Sequence, residues 1–126
     1  MTNNPARNAY LSQMVATASP AKLLVMLYDR LVLDLERAVE NQAAGDHLAA
    51  SPHLLHAQEI VLELRTSLRL DVWEGAEQLA EIYVWVHKEL VRANVSRDVN
   101  ATKGCLAIVA PLAETWREAA LVSLAG

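Results

Sequence analysis

His53 and His56 stand three residues apart in "SPHLLHAQEI". On a helix that spacing is close to one turn, so the two imidazoles can share a face and in principle a metal ion. A lone pair of this kind, early in a helix, reads as two solvent-facing side chains, and no metal is expected. A di-iron helical bundle needs Glu-x-x-His pairs facing inward. The residues three before His47, His53, His56 and His87 are Ala44, Ala50, His53 and Val84, so that motif is missing. Cys105 is the single cysteine. It has no charged activator beside it and falls on an apolar helix face, which reads as a small buried hydrophobe and not a nucleophile.

Other reaction classes fare no better. There is no Gly-rich phosphate loop, no Gly-x-Ser-x-Gly elbow and no Cys-x-x-Cys. A histidine phosphotransfer bundle presents an exposed His beside a Gly that admits the partner. "HAQEI" and "HKELV" lack that Gly. An enzyme is therefore not expected: catalytic residues none, cofactors none, metal none.

The elements that carry these residues are helical. Ser19 and Pro20 are an N-cap and a first helical residue, and open a helix from about Pro20 to about Asn41. At ~100° per residue its apolar arc spans about 200°, more than one core stripe requires. Met26 and Leu33 stand seven apart on the opposite, charged face. "GDH" at 45–47 reads as a turn, and Ser51-Pro52 repeats the start signal for a second helix, 52–70. Its core stripe is compact, yet Leu55 and Leu62 lie elsewhere, again seven apart. Asp71 and Glu74 have capping spacing before a third helix, 72 or 76 to 93, on which Trp85 stands alone among polar residues. A fourth helix runs 97–122 with a second apolar group at Val99, Leu106 and Ala110. Pro111 falls inside it and is expected to kink or interrupt it.

Composition agrees with a single helical-bundle domain over 1–126: a short N-terminal helical arm at 1–16, then a four-helix core at 19–123. The expected class is all-α, an antiparallel up-down-up-down four-helix bundle. The chain has 53% hydrophobic residues and net charge −4, with mean hydropathy +0.15. Mixed charges exclude a nucleic-acid footprint. No apolar run reaches the ~18–20 residues of a membrane span, so direct membrane insertion is not expected. "MTNNPARNAY" has no signal-type apolar stretch, and one cysteine suits a reducing compartment, so the expected location is cytoplasmic. Apolar stripes beyond what a bundle core needs mark a partner surface.

The order of motifs resembles the flagellin-specific export chaperone family FliS. Tyr10, Thr17, Ser19, Pro20, Lys22, Leu23 and the run Met26-Leu27-Tyr28-Asp29 match its opening pattern. "AQEIVLELRTSLRLD", "LAEIYVWVHKELVRAN" and "ETWREA" are similar to its later helices. His56 departs from the usual Lys before Ala, Ile82-Tyr83 replaces Leu-Tyr, and Pro111 is unusual. The resemblance implies a cytoplasmic chaperone that binds the disordered C-terminal segment of flagellin, prevents premature polymerisation and supports delivery to the flagellar type III export apparatus. An export gate component and the flagellar anti-sigma factor are further implied partners, and a weak homodimer is a further expectation. Candidate groove residues are Leu55, Leu62, Val99, Leu106 and Ala110, with Trp85, Met26 and Leu33 secondary. Tyr10 and Met14 of the arm are expected to cover a groove. Tyr28, Tyr83 and Trp116 read as structural, each reaching a polar neighbour. The alternative reading is a self-assembling bundle whose extra stripes form an oligomer interface.

Overall fold

The computed structural model describes residues 5, 6, 19–69 and 74–125. Four long helices follow in order: α1 Pro20–Ala43, α2 His47–Ser67, α3 Ala76–Val95 and α4 Val99–Ala125. The main contacts run α1–α2, α2–α3, α3–α4 and α4–α1, so α2 and α4 face each other across the bundle diagonal. Cross-helix contacts give the directions. Asp29 meets Arg117 and Gln42 meets Thr102, so numbers rise along α1 as they fall along α4. The fold is the antiparallel up-down-up-down bundle.

Helix α1 starts at Pro20, where the Ser19 hydroxyl accepts from the Lys22 N–H at 3.1 Å. That is the start read from Ser-Pro. Helix α2 differs: it begins at His47, five residues before Pro52. Gly45 turns the chain with φ +75, and the Asp46 carboxylate accepts from the Ala49 N–H at 3.0 Å. An Asp cap satisfies the first-turn donors earlier than Ser51 can, and Pro52 is tolerated just inside the helix because it removes only one bond near that end. Helix α4 likewise starts at Val99, not Arg97. Arg97 takes the left-handed conformation at φ 53, and Asp98 Oδ1 accepts from the N–H groups of Asn100 and Ala101 at 2.9 and 3.3 Å. Helix α3 has Gly75 at its N-cap with no side-chain cap bond, and Asp71 lies outside the described residues, as do Tyr10 and Met14.

Pro111 does not interrupt α4, which runs unbroken through it. Pro111 and Ala107, the residue whose carbonyl loses its N–H partner, are both exposed. Water can satisfy that carbonyl, so the proline's cost is small on this face.

The core is the stripe expected from 3.6-residue spacing. Tyr28, Leu31 and Leu35 of α1 meet Leu54, Val61 and Leu64 of α2, with Val86 and Leu90 of α3 and Cys105 and Val109 of α4. Each fully buried large aliphatic contributes about 1.5–3 kcal/mol. Cys105 is fully buried, its thiol directed at the Val86 carbonyl at 3.8 Å, and burial pushes its pKa up to about 12. At pH 8 only about one thiol in ten thousand is then ionised. Ellman's reagent at pH 8 should leave Cys105 unmodified in the native protein and titrate it fully in denaturant. Rapid reaction without denaturant would show that α4 opens readily.

Candidate partner-binding surface

The apolar stripe of the bundle runs out to the end where α1 and α3 begin and α2 and α4 finish, and nothing among the described residues closes it. There a cavity of about 730 Å³ opens, within the roughly 300–1,000 Å³ range of ligand pockets. Leu23, Leu24 and Leu27 supply the α1 wall. Leu64 and Leu68 come from the end of α2, Leu79 and Tyr83 from the start of α3, and Trp116 from α4. Leu24, Leu27, Leu68 and Trp116 pack on the core with their other sides only partly covered. Glu63 and Arg69 stand at the polar rim.

The polar atoms beneath this wall are few. The hydroxyls of Tyr28 and Tyr83 are 2.6 Å apart and buried. Their rings tilt against each other with centroids 6.4 Å apart, and the Trp116 ring lies 6.3 Å from Tyr28. Burial raises the pKa of both phenols, so both stay protonated in the physiological range. The expectation that these aromatics are structural and reach polar neighbours holds for the tyrosine pair.

The groove residues expected from sequence fall on several surfaces. Met26 lines the end cavity and is 47% exposed. Trp85, 46% exposed, lines a shallower cavity of about 410 Å³ with Ile82 and Ile108 in the seam between α3 and α4. Leu55 and Leu62 are about half exposed on the outer face of α2, at 49% and 48%, and Leu33 is exposed on α1. Val99, Leu106 and Ala110 are partly buried on α4, and Leu106 packs against the core. Because α2 and α4 sit on the diagonal, the α2 pair and the α4 group do not share one groove.

Sequence reading missed Leu23, Leu27, Leu68 and Trp116 as site residues because it counted their type as core. The 200° arc of the first helix was the available signal. A helical wheel averages over length, so it cannot show that the excess apolar surface collects at one end.

The two histidines are not simply solvent-facing. Asp34 of α1 is fully buried, and the Nδ1 atom of His56 hydrogen-bonds its Oδ2. His53 Nδ1 lies 3.7 Å and Arg30 Nε 3.4 Å from Oδ1. The pair instead forms a polar joint between α1 and α2. Among the described residues no group of three or more His, Cys, Asp or Glu could hold a metal, and no helix is long and apolar enough to cross a membrane.

The family description "Flagellar protein FliS" matches residues 1–123 of the chain. The flagellar secretion chaperone FliS of Bacillus subtilis (strain 168) is 26% identical over 111 residues, covering 88% of this chain and 83% of its own. That of Salmonella typhimurium is 30% identical over 107 residues, covering 82% of this chain and 78% of its own. Among solved structures, a "flagellar chaperone from bacteria" has a TM-score of 0.73 at 20% identity, covering 91% of this chain and 97% of that one. The last likeness bears on the fold.

Proposed function

This chain belongs to the FliS family of flagellar proteins, and from that premise we propose that it is a flagellar export chaperone whose client is the disordered C-terminal segment of flagellin. The observation that carries the reading is the open apolar cavity at the bundle end, with half-exposed Met26 at its rim. An amphipathic tail that would coil against its neighbours in a filament needs a substitute apolar surface while it is held apart. Ordering such a tail costs about 2–5 kcal/mol, which roughly 100–200 Å² of extra apolar burial offsets at about 25 cal/mol/Å². The cavity and the outlying Trp85, Leu55 and Leu62 supply candidate surface on that scale. The chaperone acts in the cytoplasm by binding alone, with no bond made or broken, then yields the client to the export apparatus. The export gate component and the anti-sigma factor belong to the same proposal.

Calorimetric titration with the last ~50 residues of the host's flagellin tests it, a length suited to a folding-coupled interface of about 1,000–3,000 Å². One-to-one sub-micromolar binding with a strongly negative heat-capacity change is expected. Absence of heat and of co-migration would reject the client and leave self-assembly, visible as a concentration-dependent size-exclusion profile.

Pro20 and Leu23 both line the cavity, so the segment preceding α1 joins the fold at its rim. Tyr10 and Met14 lie in that segment, and we assign them the part of a displaceable cover. Deleting residues 1–15 should tighten client binding or leave it unchanged. A clear loss would make the arm part of the site.

A further inference from the structure

We propose that the seam between α3 and α4 is a second docking surface, separate from the end cavity, for a partner's amphipathic helix that carries an arginine at the border of its apolar face. The guanidinium stacks on the Trp85 indole and pairs with the Glu81 carboxylate. This surface stands whether or not the end cavity takes flagellin.

The seam holds a cavity of about 410 Å³, room for several side chains of an occupant. Its floor is apolar, with Ile82 from α3 and Ile108 from α4. Gln78, Glu81 and Trp85 form the α3 wall. Glu81 and Trp85 are four residues apart, about one turn, so carboxylate and indole share a helix face. None of these five residues lines the end cavity. Trp85 is 46% exposed, and its ring meets no other ring and no cation among the described residues.

The neighbouring charges fix the sign of the occupant. Glu77 and Glu81 are exposed and take part in no ion pair among the described residues. Arg92 is held by Glu89 and Asp98 at 2.8 and 3.0 Å, and Arg117 is held by Asp29 on the α1 side. Lys103 lies about 140° around α4 from Ile108. Lys88 follows Trp85 by three residues but does not line the cavity. The Glu81 end of the seam therefore carries negative charge with no cation of its own, which draws a cation and repels an anion. Arginine suits it better than lysine, because a planar guanidinium stacks on an indole while its N–H groups reach a carboxylate. Aliphatic side chains one turn along the same helix then meet Ile82 and Ile108, as in other helix-in-groove contacts.

A second copy of the chain is the wrong occupant. The outer face of α1 has a suitable composition, with Met26 and Leu33 exposed beside Arg37. However, α1 and α3 occupy opposite corners of the bundle. A copy docked through α1 keeps its own seam turned away, so the contact cannot close a pair and would continue as a string.

The probe is a synthetic amphipathic peptide of about 18 residues, long enough to hold a helix. It has a leucine face, glutamine elsewhere and one arginine at the border. Its twin carries citrulline, a neutral isostere, in place of the arginine. Calorimetry on the full chain gives the affinities. The parent should prefer the arginine peptide about five-fold. Trp85→Ala and Glu81→Gln should each cut that preference to within about two-fold. Both side chains are exposed, so both variants should melt like the parent. Leu23→Asp, altered at the end cavity, should keep the full preference. No preference in the parent, or one that survives in Trp85→Ala and Glu81→Gln, would overturn the proposal. Loss of the preference in Leu23→Asp would put the peptide in the end cavity and overturn it as well. Growth of the parent with concentration on size exclusion, absent in Trp85→Ala, would make a second copy the occupant and overturn it. Displacement of the peptide by the host's flagellin C-terminal segment would give the seam to the client and overturn the separate partner. A flagellin segment that binds nowhere rejects the chaperone reading alone, and the peptide comparison still decides the seam.

Discussion

Leu23→Asp should abolish capture of the proposed client and leave the fold intact: affinity for a flagellin tail is expected to fall about 100-fold or more, because a carboxylate placed in an apolar contact loses its hydration without a partner. The residue is suited to this test. Leu23 lines the end cavity but is not among the residues packed into the core. It sits in the opening turn of α1, its N–H bonded to the Ser19 carbonyl at 2.9 Å. Helix α1 has no acidic residue in its first turn, so an Asp close to that terminus meets the positive end of the helix dipole. The melting temperature should therefore change little. Calorimetry and a thermal melt on the same sample check both halves. Unchanged affinity would mean the client binds elsewhere, with Trp85 and the α3–α4 seam next to be altered. A broadened melt would mean that the cavity wall is part of the core after all.

The largest stability effect should come from His56→Ala. Asp34 is a fully buried carboxylate, and His56 makes its closest hydrogen bond. Removing that donor leaves the charge with Arg30 and His53 at 3.4 and 3.7 Å, ion-pair contacts only. The loss should be about 2–3 kcal/mol, a fall in Tm of about 10 °C. His56→Asn, which keeps a donor near the Nδ1 position, should retain part of the stability. Adding Asp34→Asn to His56→Ala should recover part of the loss, since a neutral amide no longer needs a charged partner. A double variant no more stable than His56→Ala alone would mean that lost packing, and not the stranded charge, sets the cost. The histidines would then be filling space at the α1–α2 joint.

Much of the architecture was legible before any coordinates. Ser19-Pro20 marked the start of α1 because capping is a property of adjacent residues. The 3.6-residue periodicity put Cys105 on an apolar helix face and read Tyr28 and Tyr83 as structural, and all three are buried. The motif order from Tyr28-Asp29 to Trp116 pointed to the family that the whole-chain match bears out. Where local signals competed, reading them singly failed. Asp46 capped α2 ahead of Ser51-Pro52, and Pro111 rode through α4 on its exposed side.

What the sequence by itself determined, then, is the helices, their buried faces and the surplus of apolar surface, because each depends on residues a few positions apart. Only the tertiary structure decided where that surplus gathers and what lies beneath it. Asp34 meets His56 across 22 residues, and Tyr28 meets Tyr83 across 55. Those distances along the chain carry no periodic signal. The helix-to-helix register that brings such residues together is chosen by packing the whole core at once. The same packing put α2 and α4 on opposite corners, separating stripes that look equivalent along the sequence, and left the leucines at one end of the bundle facing an open cavity.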